Sequence, residues 1–273
     1  MGYKIRAIGL NESGNLVIPN GVVLINTSSA DGTAAATFKA TTATGADKLI
    51  SGVNSSGMTT FKVQNNGVIS AFGPAGVTSC VAAGDFAFAA ATSGSTQNTA
   101  FGWYALNQLT GASSSNTAVG ASAGYGHTGG AENTVMGFQA SYASSAPTNS
   151  VAIGCRAGYS MGARSHNTMV GWNAGYNANS DKNVSIGSQS GNTLGTKNVC
   201  VGYGAGYGSG TYFNSCVMIG HDAGLYNVED NAFYVDNADR TNTAGDKAGA
   251  LFYGKFNTTP ASQTLVINAK VTA

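Results

Sequence analysis

The sequence predicts an all-β protein: a parallel β-roll, or β-solenoid, of about eight to nine short coils with β-hairpin-rich segments at both ends. Three observations predict it. One short phrase recurs eight times between residues 98 and 226, its period is too short for helical repeats, and each copy contains a strand-like alternation.

Aligned on their glycines, the copies read NTAFG ending at Gly102, NTAVG at Gly120, NTVMG at Gly137, SVAIG at Gly154, NTMVG at Gly171, NVSIG at Gly187, NVCVG at Gly202 and CVMIG at Gly220. Successive glycines are 15 to 18 residues apart, whereas two-helix repeats need about 33 to 47 residues. Each copy is therefore read as one coil. The glycines, and the Ala-Gly pairs that follow, supply corners that other residues resist. Asn98, Asn116, Asn133, Asn167, Asn183 and Asn198 open the strands and can bond backbone groups left open by the turn, as a structural ladder.

Strand alternation divides each phrase into two faces. The residues just before the glycines (Phe101, Val119, Met136, Ile153, Val170, Ile186, Val201 and Ile219) are large and apolar and are expected to point into the roll. The residues one place earlier (Ala100, Ala118, Val135, Ala152, Met169, Ser185, Cys200 and Met218) carry no charge and are expected to face outward. A charge-free outer face calls for a cover, and further copies of the chain, arranged by cyclic symmetry, would supply it.

Pro and turn clusters mark three regions: an N-terminal β-rich attachment or shaft segment at 1–76, the roll at 77–237 and a C-terminal β-rich closing segment at 238–273. Residues 48–70 read as a hairpin with turn signals at 55–57 and 65–67. Residues 77–97 read as an atypical capping coil. NAFYVDN, LFYGKFN and LVINAKV, from residue 231 onward, read as closing strands.

Composition narrows the function. Charged residues make up 9% of the chain and the net charge is +1, so a phosphate- or acidic-lipid-binding surface has no electrostatic basis and no nucleic-acid partner is expected. Residues 1–20 lack the apolar core of a secretion signal, and no stretch is long and apolar enough to insert in a membrane. The four cysteines form no CxxC pair and read as buried free thiols. Between residues 98 and 221 the only acids are Glu132 and Asp181. Glycoside hydrolysis uses paired carboxylates, so catalysis is not expected. The C-terminal acids Asp222, Glu229, Asp230, Asp236 and Asp239 lack the regular spacing of a calcium loop, and neither a metal nor a cofactor is expected. His127, His166 and His221 read as solvated loop residues.

The phrases themselves resemble a known repeat. NSVAIG at 149–154, with NTAVG and NVSIG, resembles the head repeats of trimeric autotransporter adhesins of the YadA type, and NTAVGASAGY at 116–125 resembles repeats of phage tail-fibre and other virion-fibre proteins. The resemblance covers residues 98 to about 237, roughly half the chain. It implies a left-handed parallel roll in an intertwined homotrimer. For function it implies a virion fibre or spike exposed on the particle surface, assembled in host cytoplasm, joined to other virion proteins through its N-terminal segment and touching a host glycan or protein. A head fibre, collar or decoration protein without a receptor is the alternative, and a polysaccharide-degrading tailspike is a third that the scarcity of acids disfavours. The expected contacts lie in loops of irregular length, 107–115, 126–131, 143–148 and 207–213, with Tyr212, Phe213, His127 and Tyr142 as candidates. The tyrosines that recur after Ala-Gly are expected to pack as a ladder.

Overall fold

The computed structural model describes strands at 48–53, 59–64 and 69–71, and residues 80–269 except 92, 93, 179 and 209. The first three strands, β1 (Lys48–Val53), β2 (Thr59–Gln64) and β3 (Ile69–Ala71), form an antiparallel sheet in the order β1-β2-β3. The predicted hairpin is thus extended by a third strand. Its two turn signals, and the rest of the N-terminal segment, lie outside the described residues.

The roll is built on ten parallel strands, one per coil: β4 (Val81–Ala83), β5 (Thr99–Phe101), β6 (Thr117–Val119), β7 (Thr134–Met136), β8 (Val151–Ile153), β9 (Thr168–Val170), β10 (Val184–Ile186), β11 (Val199–Val201), β12 (Val217–Ile219) and β13 (Ala232–Val235). Equivalent positions pair without slippage, Thr99 with Thr117 and Ile153 with Val170 for example. The result is a β-solenoid of about nine turns, as the period predicts. The sheet then reverses. β13 pairs antiparallel with β14 (Phe252–Lys255), and β14 with β15 (Thr264–Ile267). A short helix, α1 (Thr243–Gly249), lies between β13 and β14, its N-cap Asn242 accepting from the Gly245 N–H. Sequence reading did not anticipate it.

The two strand faces are the reverse of the expectation. The middle residues Ala100, Ala118, Ala152, Met169, Ser185, Cys200 and Met218 are at most 1% exposed and Val135 2%. The residues before the glycines face out: Phe101 is 43% exposed, Met136 and Ile219 42%, Ile186 40%. The reason is cross-section. A coil this small admits one bulky side chain, or two in the coil of Leu106 and Leu109, beside the alanines Ala105, Ala123, Ala140, Ala157, Ala174, Ala205 and Ala223, all fully buried. Interiors are packed to crystal density, so a second stack of eight large apolar side chains, the Phe, Ile, Val and Met before the glycines, cannot enter.

Which element supplies the bulky residue changes from coil to coil. Where the strand offers a small residue, the far wall offers a large one: Ala100 with Leu109, Ala118 with His127, Ala152 with Met161, Ser185 with Leu194, Cys200 with Phe213. Where the strand offers a larger residue the far wall shrinks, as in Val135 with Ser144, Met169 with Ala178 and Met218 with Asn227. All sixteen are buried. The fillers occupy equivalent space: a Cβ on Gly158 would lie 2.8 Å from Met161 Sδ, and one on the corresponding Gly175 would lie 2.9 Å from Met169 Cε. Those glycines have φ of +56° and +58°, so backbone and packing both demand the missing side chain.

Polar groups close the stack. Asn98 Oδ1 accepts from the N–H of Asn116 at 2.9 Å, Asn167 Oδ1 from Asn183 at 2.9 Å and Asn183 Oδ1 from Asn198 at 2.9 Å. The amide nitrogens reach loop carbonyls, Asn133 Nδ2 to Pro147 at 2.7 Å and Asn198 Nδ2 to Phe213 at 2.9 Å. Ser150, Cys216 and Cys80 occupy the ladder positions that lack Asn. None of the four cysteines is in a disulfide; Cys80, Cys200 and Cys216 are buried and Cys155 is half-buried. Burial pushes the Cys200 thiol well up and that of Cys216 up to about 11, so these thiols are inert at neutral pH.

Candidate binding surfaces

Among the described residues of the roll, two surfaces are shaped to meet a partner. The first is the outer strand face. Besides the residues before the glycines, it carries those just after them, and these alternate in size: Trp103, Ala121, Phe138, Cys155, Trp172, Ser188, Tyr203. Trp103 is 54% exposed and Phe138, Trp172 and Tyr203 are each 49% exposed. With neighbouring strands about 4.8 Å apart, an aromatic stands out about every 9.6 Å with a small residue between. This alternation is legible in the sequence once the glycines are aligned.

The second surface is a cleft of about 420 Å³ over the last coils, lined by Gln189, Tyr203, Gly204, Tyr207, Gly208, Asp222, Leu225 and Tyr226. It exists because the tyrosine ladder is interrupted. Tyr125, Tyr142, Tyr159 and Tyr176 stack coil on coil at centroid distances of 5.0, 5.3 and 4.8 Å. Asn192 occupies that phase in the following coil, and beyond it Tyr207 enters no ring stack among the described residues. The Tyr203 hydroxyl donates to Gln189 Oε1 at 2.9 Å, and its ring stacks on His221 at 5.0 Å. His221 Nδ1 meets Asp222 Oδ2 at 2.9 Å. Burial raises the Asp222 carboxyl above its usual range, His221 pulling the other way. Asp222 Oδ1 occupies the space a side chain on Gly204 would need, which leaves the cleft floor bare there.

The predicted contact residues do not converge. Tyr212 is 53% exposed. Phe213 and His127 are fully buried; neither can touch a receptor, because each is a bulky filler of its own coil. Burial pushes the His127 imidazole down to about 4. Its Nε2 lies 2.8 Å from Ser141 Oγ, but both groups are sealed in the core, so the pair serves packing and not nucleophilic chemistry. Tyr142 is half-buried inside the ring ladder. His166 and His221 are exposed as expected. The irregular loops also join the stack, Thr128 N–H donating to Ser145 O at 2.7 Å.

Acids are occupied structurally. Asp181 Oδ1 accepts from the Ser165 N–H at 2.7 Å, Asp236 holds Arg240 at 2.7 Å, and Glu229 pairs with Lys247 and Lys255. Among the described residues no group of three His, Cys, Asp or Glu side chains could hold a metal ion, and no helix is long and apolar enough to cross a membrane. No protein-family model matches the chain, and neither a curated protein nor a solved structure is significantly similar to it.

Proposed function

We propose that this chain is a non-enzymatic attachment protein of the virion-fibre type, in which rolls associate through their outer strand faces as a homotrimer and present their loops and the tyrosine cleft to a host-cell surface. The observation that carries the reading is the uncharged apolar strip along the roll. Phe101, Trp103, Val119, Met136, Phe138, Ile153, Trp172, Ile186 and Ile219 are each 37–54% exposed, while Tyr203 at the end of the roll belongs to the cleft. Together they present roughly 800 Å², beyond the about 300–600 Å² of the largest patch on an ordinary monomer and comparable to the about 800 Å² per partner of a standard interface.

From Phe101 to Ile219 none of these strip residues is a lysine, arginine or acid, Asp85 standing at the equivalent position only in the first coil, so the cover required there is equally uncharged, and a further copy of the strip meets that requirement. The copy number of three rests on the resemblance of the phrases to fibre and adhesin repeats. Many weak contacts multiplied by copy number would then supply adhesion.

Light scattering of the native protein tests the reading. A mass three times the 27.4 kDa chain, together with adsorption to host cells, supports it. A monomer removes the reason for the apolar strip and overturns it. A trimer that binds another virion protein but no host surface moves the chain to the structural class.

A further inference from the structure

We propose that the cleft over the last coils is a binding site for an uncharged pyranose unit. The assignment rests on the attachment reading above, and it names the ligand class and the residues that would meet it. A pyranose offers an apolar C–H face and a rim of hydroxyls that both donate and accept. The cleft offers the same combination in reverse. Tyr203, half exposed, has one ring face engaged by His221, and its hydroxyl donates to Gln189 Oε1. No other ring stacks on Tyr203 among the described residues, so it lines the cleft as a platform for a sugar, and the Gln189 amide N–H groups are left to donate.

Asp222 supplies the acceptor. Its side chain is 11% exposed and bonded through one oxygen to His221, so it is positioned before any ligand arrives. Gly204 and Gly208 keep the floor free of side chains, with φ of +61° and +75°. Tyr207 adds a second ring and hydroxyl. The volume of about 420 Å³ falls within the about 300–1,000 Å³ of small-molecule sites, and a few fixed polar groups among apolar walls is their usual make-up.

Charge selects among sugars. Asp222 is the only carboxylate of the lining and no lysine or arginine joins it, so sialic and uronic acids and phosphorylated sugars meet repulsion without compensation. A quaternary ammonium group would suit rings and a carboxylate, but it has no use for the amide donors of Gln189.

Saturation-transfer NMR on the full chain tests this, with methyl glucopyranoside, methyl galactopyranoside and N-acetylglucosamine as probes, and N-acetylneuraminic acid and choline as contrasts. Transfer to at least one neutral probe is expected, weakened about tenfold or more by Tyr203→Ala, in line with the loss of an aromatic anchor. Gln189→Ala, at a half-buried side chain, is the second variant and should weaken the same probe while circular dichroism stays unchanged. No transfer to any neutral probe, transfer confined to N-acetylneuraminic acid or choline, or transfer untouched by both variants overturns the assignment. The mass measurement keeps the two ideas separable: a trimer that adsorbs to cells without sugar transfer ends only the cleft proposal, and a monomer that still binds the sugar ends only the attachment reading.

Discussion

Met161 and Met169 fill equivalent space in adjacent coils from opposite walls, and this sharing makes a specific double-mutant prediction. Met161 is 1% exposed and faces Ala152, itself 1% exposed; in the next coil Met169 and Ala178 are both fully buried with the roles exchanged. Met161→Ala deletes the only bulky filler of its coil and should cost about 2–5 kcal/mol, the range for buried Met→Ala. Ala152→Met alone places two methionines where one fits and should cost about 1–3 kcal/mol through overpacking. The double variant reproduces the next coil's arrangement and should lie within about 1.5 kcal/mol of the parent, as volume-conserving exchanges do. The coupling energy is then several kcal/mol, far outside the about 0.3–0.5 kcal/mol within which independent sites add. Guanidinium unfolding followed by circular dichroism measures all four proteins. If the double variant is as unstable as the two single losses combined, the methionines do not share one space and the packing rule for the roll is wrong.

Three further outcomes follow from the same geometry. Gly120→Ala puts a Cβ 2.6 Å from the Gly137 carbonyl oxygen at a φ of +133°, so the thermal midpoint should fall sharply with a loss of about 3 kcal/mol, while Gly111→Ala, which meets nothing within 4 Å, should cost only about 1–2 kcal/mol; equal losses would refute the close stacking of glycines. Ile153→Lys introduces a charge into the apolar strip and should shift the light-scattering mass to the 27.4 kDa chain without loss of β signal, and an unchanged oligomer mass would show that the strip is not the interface. Asp246 is 1% exposed, and burial, with lesser repulsion from Asp236 and Asp239 and against a bond from the Tyr226 N–H, pushes its carboxyl up to about 6. A raised carboxyl destabilises the folded state above that pH and costs nothing below the unfolded value of about 4, so stability should fall as pH rises from 4 to 6; Asp246→Asn should gain about 1–2 kcal/mol at pH 7, allowing for solvent screening, and nothing at pH 3.5, and a gain independent of pH would refute the assignment.

The limits of sequence reading show in the same residues. Phe213 and His127 look like loop residues because their loops vary in length, yet each lies opposite a small strand residue, Cys200 and Ala118, and turns inward to fill the coil. The signal was present as a complementarity of sizes across eight coils, and it becomes visible only when strand and far wall are known to face each other. Helix α1 gave no periodic signal, since its seven residues include two glycines and bury only Asp246.

The repeat by itself determined the coil, its period, the register of equivalent positions and the asparagine ladder, because a phrase that returns every 15 to 18 residues can satisfy its backbone only by stacking on itself. Tertiary structure alone decided which face is the core. Period-two alternation separates two faces without a sign, and hydrophobicity pointed the wrong way, since the larger apolar residues lie outside. The deciding quantity is the width of the coil, which admits alanines and one or two fillers and leaves Phe101, Met136 and Ile219 exposed. The tyrosine cleft likewise exists only in three dimensions, where Asn192 breaks the ladder and brings Gln189, Tyr203 and Asp222 from three successive coils to one opening.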